Sequence, residues 1–234
     1  MWARLRRAHL FLSLPQIVQS AVEKQILLST AYLPPISWFA AALTGKTILI
    51  EAHETYFKQS YRNRCIISGP NGVQALTAPI SKPNGNRSLV SEVTLSFDQN
   101  WKKNHWRTIE TAYNTSPFFL YYRDRIEKVL LNNHKTLFAL NHELLELALS
   151  ILTLSVHITS TNQYIKDASD YIDLRNIIHP KIIHLSVQNF PEYPQVFNDR
   201  HPFAPDLSII DLIFNEGPAS ISYLRKIAEI RYAT

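Results

Sequence analysis

The stretch QILLSTAYLPPISWFAAALTGKTILIEA, residues 25–52, decides the fold. QILLSTAY (25–32) is short, apolar and ended by Pro34-Pro35, which is the pattern of a buried strand. ISWFAAAL (36–43) reads as a short helix, with Gly45 able to stop it, and TILIEA (47–52) is a second apolar run. Strand, compact helix and strand within so few residues make a small βαβ-like unit, and such a unit favours parallel pairing. An irregular buried loop at 36–43 is the other reading of the same residues.

Downstream, residues 55–68 read as a polar strand. With period two, Tyr56, Lys58, Ser60, Arg62 and Arg64 fall on one face and Phe57, Gln59, Tyr61, Asn63 and Cys65 on the other. Pro70-Asn71-Gly72 follows, then a further strand at 73–80; Asn-Gly between two such runs signals a hairpin, because both residues tolerate positive φ. Residues 81–88 form a polar loop, and 89–95 read as one more strand. From Asp98 the period becomes helical. Asp98 can cap a helix to Tyr113, Ser116-Pro117 opens another to Asn132-Asn133, and Thr136 caps a third, whose Leu140, Leu144, Leu147 and Ile151 form a core stripe. Residues 156–160 read as a strand. Ser208 with Asp211 has the spacing of a capping box, and Gly217-Pro218 closes that helix and opens the last one, 218–230. The expected class is α/β: a small mixed or parallel sheet flanked by helices.

Composition narrows the function classes. The chain has 234 residues with 46% hydrophobic and 18% charged, enough for a real core and unlike a disordered chain. Its five glycines are too scattered for a phosphate-cradling loop. A single cysteine, Cys65, excludes an intrachain disulfide framework and a thiolate zinc cluster, and reads as a small strand hydrophobe. His53-Glu54 is not followed by the second histidine of an HExxH helix, and His179, His184 and His201 match no zinc spacing, so no metal site is expected. G-x-S-x-G is absent. No cofactor is indicated by any motif. No run of 18 apolar residues occurs, and no transmembrane segment is expected. Arg4, Arg6 and Arg7 before the apolar run 8–14 have the outline of a secretory signal; an amphipathic extension or an early start codon fits the same residues.

The net charge is +5 and leans toward the middle of the chain: residues 51–110 carry eight basic and five acidic side chains. Lys58, Arg62 and Arg64 sharing one strand face would repel each other, so that face is solvated or neutralised by an anion. Arg presents a planar fork suited to phosphate or carboxylate. On the helix at 101–110, Lys103 and Arg107 are four apart, while His105 shares a face with Lys102 and Ile109 and, among cations, should be neutral and free to act as a base. Trp anchoring of that helix with its cations facing water is the plainer alternative. Asp211 and Asn215, four apart, could hold a hydroxyl, an amine or a hydrated cation, or merely cap and stop their helix.

Four stretches in this order, LLSTAYLPPISWF (27–39), EAHETYFKQSYRNRC (51–65), WKKNHWRTIETAYNTSPFF (101–119) and DLSIIDLIFNEGP (206–218), resemble the WbqC-like family of bacterial proteins. Where family members often carry Gln-Pro-Tyr after the first strand, this chain has Thr30-Ala31-Tyr32. The resemblance covers residues 27–234 as one domain and leaves 1–26 as an extension. It implies a cytoplasmic role in O-antigen or other surface-polysaccharide biosynthesis, and brings no defined reaction or catalytic residues. From the residues themselves the expectation is a basic cleft for an anionic small molecule such as a nucleotide sugar. Lys58, Arg62, Arg64, Lys103 and Arg107 would hold phosphate, with Tyr56, Asn63, Asp211 and Asn215 as further ligand contacts and His105 or His53 as general base of a transferase. A non-catalytic binding or scaffold protein of the same pathway is the alternative. Nucleic acid is not an expected partner, and the oligomeric state is left open.

Overall fold

The computed structural model describes residues 25–98, 100–183 and 190–232. Strand β1 (Gln25–Ser29), helix α1 (Ile36–Ala42) and strand β2 (Thr47–Glu51) form the expected βαβ unit, with β1 and β2 parallel and Ile26 opposite Ile48. Two later strands complete the sheet: β7 (His157–Ser160) pairs parallel with β2, and β8 (Tyr171–Asp173) pairs parallel with β1, giving the order β7-β2-β1-β8. Ile26, Leu27 and Leu28 are all buried, as befits a parallel strand covered on both faces. Every residue of α1 is buried too, and this compact crossover packs on the last helix, α7 (Ser220–Tyr232).

The middle of the chain departs from the expected strand at 55–68. Apart from an isolated antiparallel bridge between Thr55 and Leu89, pairing begins only at Arg64, in β3 (Arg64–Gly69), which forms an antiparallel hairpin with β4 (Gly72–Thr77). The residues before β3 turn back on themselves, and Gln59 takes a positive φ of 56°. The reason is electrostatic: Arg62 swings inward to meet Glu54 instead of lining up with Lys58 and Arg64. The hairpin lies one residue from where Asn-Gly placed it: Pro70 and Asn71 form the turn, and Gly72, at φ 97°, pairs with Gly69. The run 89–95 is mostly a 3₁₀ turn, with only β6 (Thr94–Leu95) pairing to β5 (Ile80–Ser81).

The helical half follows its sequence signals. Helices α2 (Asn100–Tyr113), α3 (Phe119–Leu131) and α4 (Leu137–Ile151) lie where the periodicity put them. The Thr136 hydroxyl accepts from the Ala139 N–H and caps α4. A short α5 (Pro180–Ile183) precedes α6 (Ile209–Glu216). The expected capping box of α6 does not form: the Ser208 hydroxyl donates instead to the Leu33 carbonyl, and the Asp211 carboxylate faces two tyrosines. Gly217 ends α6 at φ 52°, where a Cβ would lie 2.5 Å from the Phe118 ring. Gly217→Ala is therefore expected to cost about 1–3 kcal/mol, read as a lowered urea midpoint.

Of the N-terminal extension, residues 1–24 lie outside the described residues, as does His184; Gln25 and Ile26, counted with the extension, belong to β1. No described helix is long and apolar enough to cross a membrane.

Candidate functional site at the carboxyl ends of the parallel strands

In a parallel sheet the crevice for a ligand lies beyond the carboxyl ends of the strands. Here each strand ends on a polar group: Ser29 on β1, Glu51 on β2, Thr161 just past β7, Asp173 and Arg175 at the end of β8. Glu51 is fully buried and fully satisfied. It accepts from the Thr161 hydroxyl at 2.7 Å, from the backbone N–H groups of His53 and Ile165 at 3.0 Å, and from Arg175 Nη1 at 3.0 Å. Arg175 also forks onto Asp173, Nε to Oδ1 at 2.9 Å and Nη2 to Oδ2 at 2.7 Å, and its guanidinium lies 5.2 Å from the Tyr164 ring centre. Partial burial disfavours the Asp173 anion, yet the Arg175 contacts hold its pKa below the usual carboxylate value.

A second pair lies beside the first. Arg62, buried, donates through Nε to Glu54 Oε1 at 2.8 Å and through Nη2 to both Glu54 Oε2 and Ser29 Oγ. The Ser29 hydroxyl donates back to Glu54 at 3.1 Å. Asn141 on α4 fixes the Arg62 backbone by donating to its carbonyl at 2.8 Å. Arg62 Nη1 makes no hydrogen bond among the described residues. Glu54 and Arg62 line a cleft of about 470 Å³ whose walls carry His53, Phe57, Tyr164 and Asn176.

The expected site residues divide between this cleft and other places. His53 and Arg62 line it. Tyr56 is buried nearby, and its phenol pKa is raised by burial against the opposing fields of Arg62 and Arg64. Lys58 is exposed, next in sequence to Phe57. Asn63 is buried and structural: its amide donates to the Ala78 carbonyl at 2.9 Å. Arg64 starts β3, where its Nε donates to Thr77 Oγ1. On α2, Lys103 and Arg107 are exposed, and Arg107 lines a separate groove with Asn71 and Gln74 of the hairpin. Arg62 and Arg107 thus open onto different clefts. The single basic face required a straight strand at 55–68, which the Glu54 pairing removes.

His105 is neutral as expected, but enclosed. Burial lowers its pKa to about 4, against a backbone hydrogen bond at Thr77, and its Nδ1 lies 2.9 Å from the Tyr32 hydroxyl. It is a core contact of α2 with the sheet, with no face open to a substrate. Lys102, expected on the same face, turns inward and donates to the Asn132 carbonyl at the end of α3. Asp211 and Asn215 are likewise closed. Asp211 accepts from the hydroxyls of Tyr113 at 2.8 Å and Tyr193 at 2.6 Å, and the Asn215 amide donates to the Asp211 carbonyl at 2.8 Å. Burial raises the Asp211 pKa to about 6 while these donors oppose the rise. The group staples α2, α6 and the segment around residue 193.

Glu51, Asp173 and Arg175 were not singled out from the sequence. A glutamate ending an apolar strand, as in TILIE, is the signal that could have found the first of them; Arg175 belongs to no motif.

The WbqC-like protein family matches the chain over residues 30–179 and 166–223. A protein of Mycobacterium tuberculosis (strain ATCC 25618 / H37Rv), described as uncharacterized protein Rv1507c, is 24% identical over 231 residues, which cover 87% of this chain and 98% of its own length. No solved structure matches.

Proposed function

The chain belongs to the WbqC-like protein family, and from that premise we propose that it is a cytoplasmic transferase of bacterial surface-polysaccharide biosynthesis, moving an acyl or aminoacyl group onto the amine of a nucleotide-linked sugar. The observation that carries this reading is the cleft beyond the sheet, with a buried Arg62–Glu54 pair as its floor and His53 on its wall. In the reaction the sugar amine attacks the carbonyl carbon of an activated ester or thioester donor. A nitrogen–carbon bond forms, the bond to the donor's oxygen or sulfur breaks, and the amine proton passes through His53 to the leaving group. The backbone of His53 is held by Glu51, so its imidazole is presented from a fixed base. Two exposed cations are available to the diphosphate: Lys58 follows Phe57, and Lys181 lies two residues after His179, the ring that meets Phe57 edge-on at 5.9 Å.

His53→Ala is expected to lower turnover about 100-fold while leaving the calorimetric Kd for the nucleotide sugar within about twofold, as a general base that binds little should. Unchanged turnover removes His53 from the mechanism. A second reading, a non-catalytic binding or scaffold protein of the same pathway, is favoured by the locking of Glu54 and Arg62 into each other, which leaves His53 as the uncommitted titratable side chain of the cleft. Tight binding of UDP- or dTDP-linked aminosugars, without turnover for any acyl donor, selects it.

A further inference from the structure

We propose that this cleft grips the ring of its sugar and not the phosphate: Arg62 Nη1 donates to a ring hydroxyl while Phe57 and Tyr164 cover the ring's C–H face. The inference rests on the sugar reading above and specifies which part of the molecule the floor of the cleft touches.

The first argument is hydrogen-bond capacity. A guanidinium has five N–H donors in a fixed fork. In Arg62, Nε and Nη2 are consumed by Glu54 and Ser29, and the two donors of Nη1 are unclaimed among the described residues. The residue is 5% exposed and lines the cleft. These two donors are therefore available on the cleft side of a side chain whose other three are fixed, and an oxygen in the cleft can accept from them.

The second argument is charge. Arg62 is matched by Glu54, and Arg175 by Glu51 and Asp173. The floor has no surplus positive charge. A phosphate at Nη1 would meet a guanidinium whose charge Glu54 already neutralises, and its own charge would go uncompensated. A hydroxyl escapes the conflict, since it accepts from the guanidinium without bringing a charge of its own.

The third argument is the walls. Phe57 is 61% exposed and Tyr164 53%, both around a polar floor. Neither is loosely held: Phe57 packs edge-on against His179, and Tyr164 lies against the Arg175 guanidinium. Rigid, exposed aromatic faces beside paired polar groups match a pyranose, which has an apolar C–H face and a polar rim of hydroxyls. The cleft of about 470 Å³ has room for such a ring and its substituents.

Saturation-transfer NMR tests this on the full chain, with hexoses and N-acetylhexosamines offered free and linked to UDP or dTDP, and with UDP and dTDP alone. The expected result is strongest transfer to sugar-ring protons, at least about tenfold weaker binding of the bare nucleotides, and about tenfold loss of affinity in Tyr164→Ala, an exposed position that leaves the fold intact. Arg62→Lys, which removes the Nη1 donors, should lose the ring signal as well; circular dichroism checks its folding, and Tyr164→Ala decides the matter if it does not fold. Transfer centred on base and ribose protons, or equal binding of bare nucleotide, overturns the inference while the nucleotide-sugar reading stands. Transfer to a free sugar with no binding of any nucleotide sugar does the reverse. Silence from every probe overturns both.

Discussion

Glu54→Ala is expected to destabilise the protein by about 3–5 kcal/mol. The substitution strands the Arg62 guanidinium, 5% exposed, with the Ser29 hydroxyl as its one remaining side-chain partner among the described residues. Most of the loss is the cost of an uncompensated buried charge and not the net worth of the pair. The partner substitution separates the two contributions: Glu54→Leu combined with Arg62→Met, which removes both charges and keeps the volume, should recover most of the loss. Urea unfolding midpoints of the single and double variants measure it. A loss below about 1 kcal/mol for Glu54→Ala, the range of exposed ion pairs, would mean that water screens the pair and that the floor of the cleft is not the buried, charge-matched surface described above.

A comparable effect, dependent on pH, is expected at Asp206. The carboxyl is 3% exposed and accepts from the Ser37 backbone N–H at 2.6 Å and the Ser37 hydroxyl at 2.9 Å. Burial raises its pKa from 3.8 to about 7, with the Ser37 hydrogen bonds and the field of Arg231 opposing the rise. A carboxyl whose folded value lies above its unfolded one favours the fold when protonated. Its contribution is therefore fully present below about pH 4, falls as the pH rises toward 7, and is constant above that; the whole swing is about 4 kcal/mol. Asp206→Asn cannot ionise, and asparagine tolerates the positive φ of 52° found here. Relative to the parent it should gain stability steadily between pH 4 and 7, with no further gain at pH 8. Asp211 titrates in the same direction but is present in both proteins, so the difference between them isolates Asp206. Urea midpoints of the two proteins that run parallel across this range would show that Asp206 stays ionised in the fold.

What the sequence disclosed and what it hid follow from the range of the interactions concerned. Residues 25–52 are legible because their signals are local: apolar runs of strand length, two prolines and a glycine. Thr136 and the Leu140 and Leu144 stripe are legible for the same reason. The run 55–68 misleads because alternation looks strand-like while the fate of Arg62 is set by Glu54, eight residues upstream, and by Ser29 on another strand. Strand β8 is hidden for a different reason. Three residues, one of them Asp173, have no pattern of their own and become a strand only because β1 offers an edge. Asp211 and Asn215 do share a face as their spacing requires, but the spacing cannot reveal that Tyr113 and Tyr193 already occupy the carboxylate. The cleft was half visible. His53 and Arg62 were named, whereas Arg175 enters from the far end of the sheet, a pairing that no local motif records.

The sheet is closed by late-coming parts of the chain. Strand β1 is synthesised well before residues 171–173, which pair with its outer edge, and the buried helix α1 before residues 220–232, on which it packs. A nascent chain emerging from the ribosome therefore carries an apolar strand with an open edge, and a largely apolar helix meant for burial on all sides, until those later segments are made. A chain truncated before residue 220 is expected to leave these surfaces uncovered and to aggregate, which size-exclusion chromatography of the fragment would read.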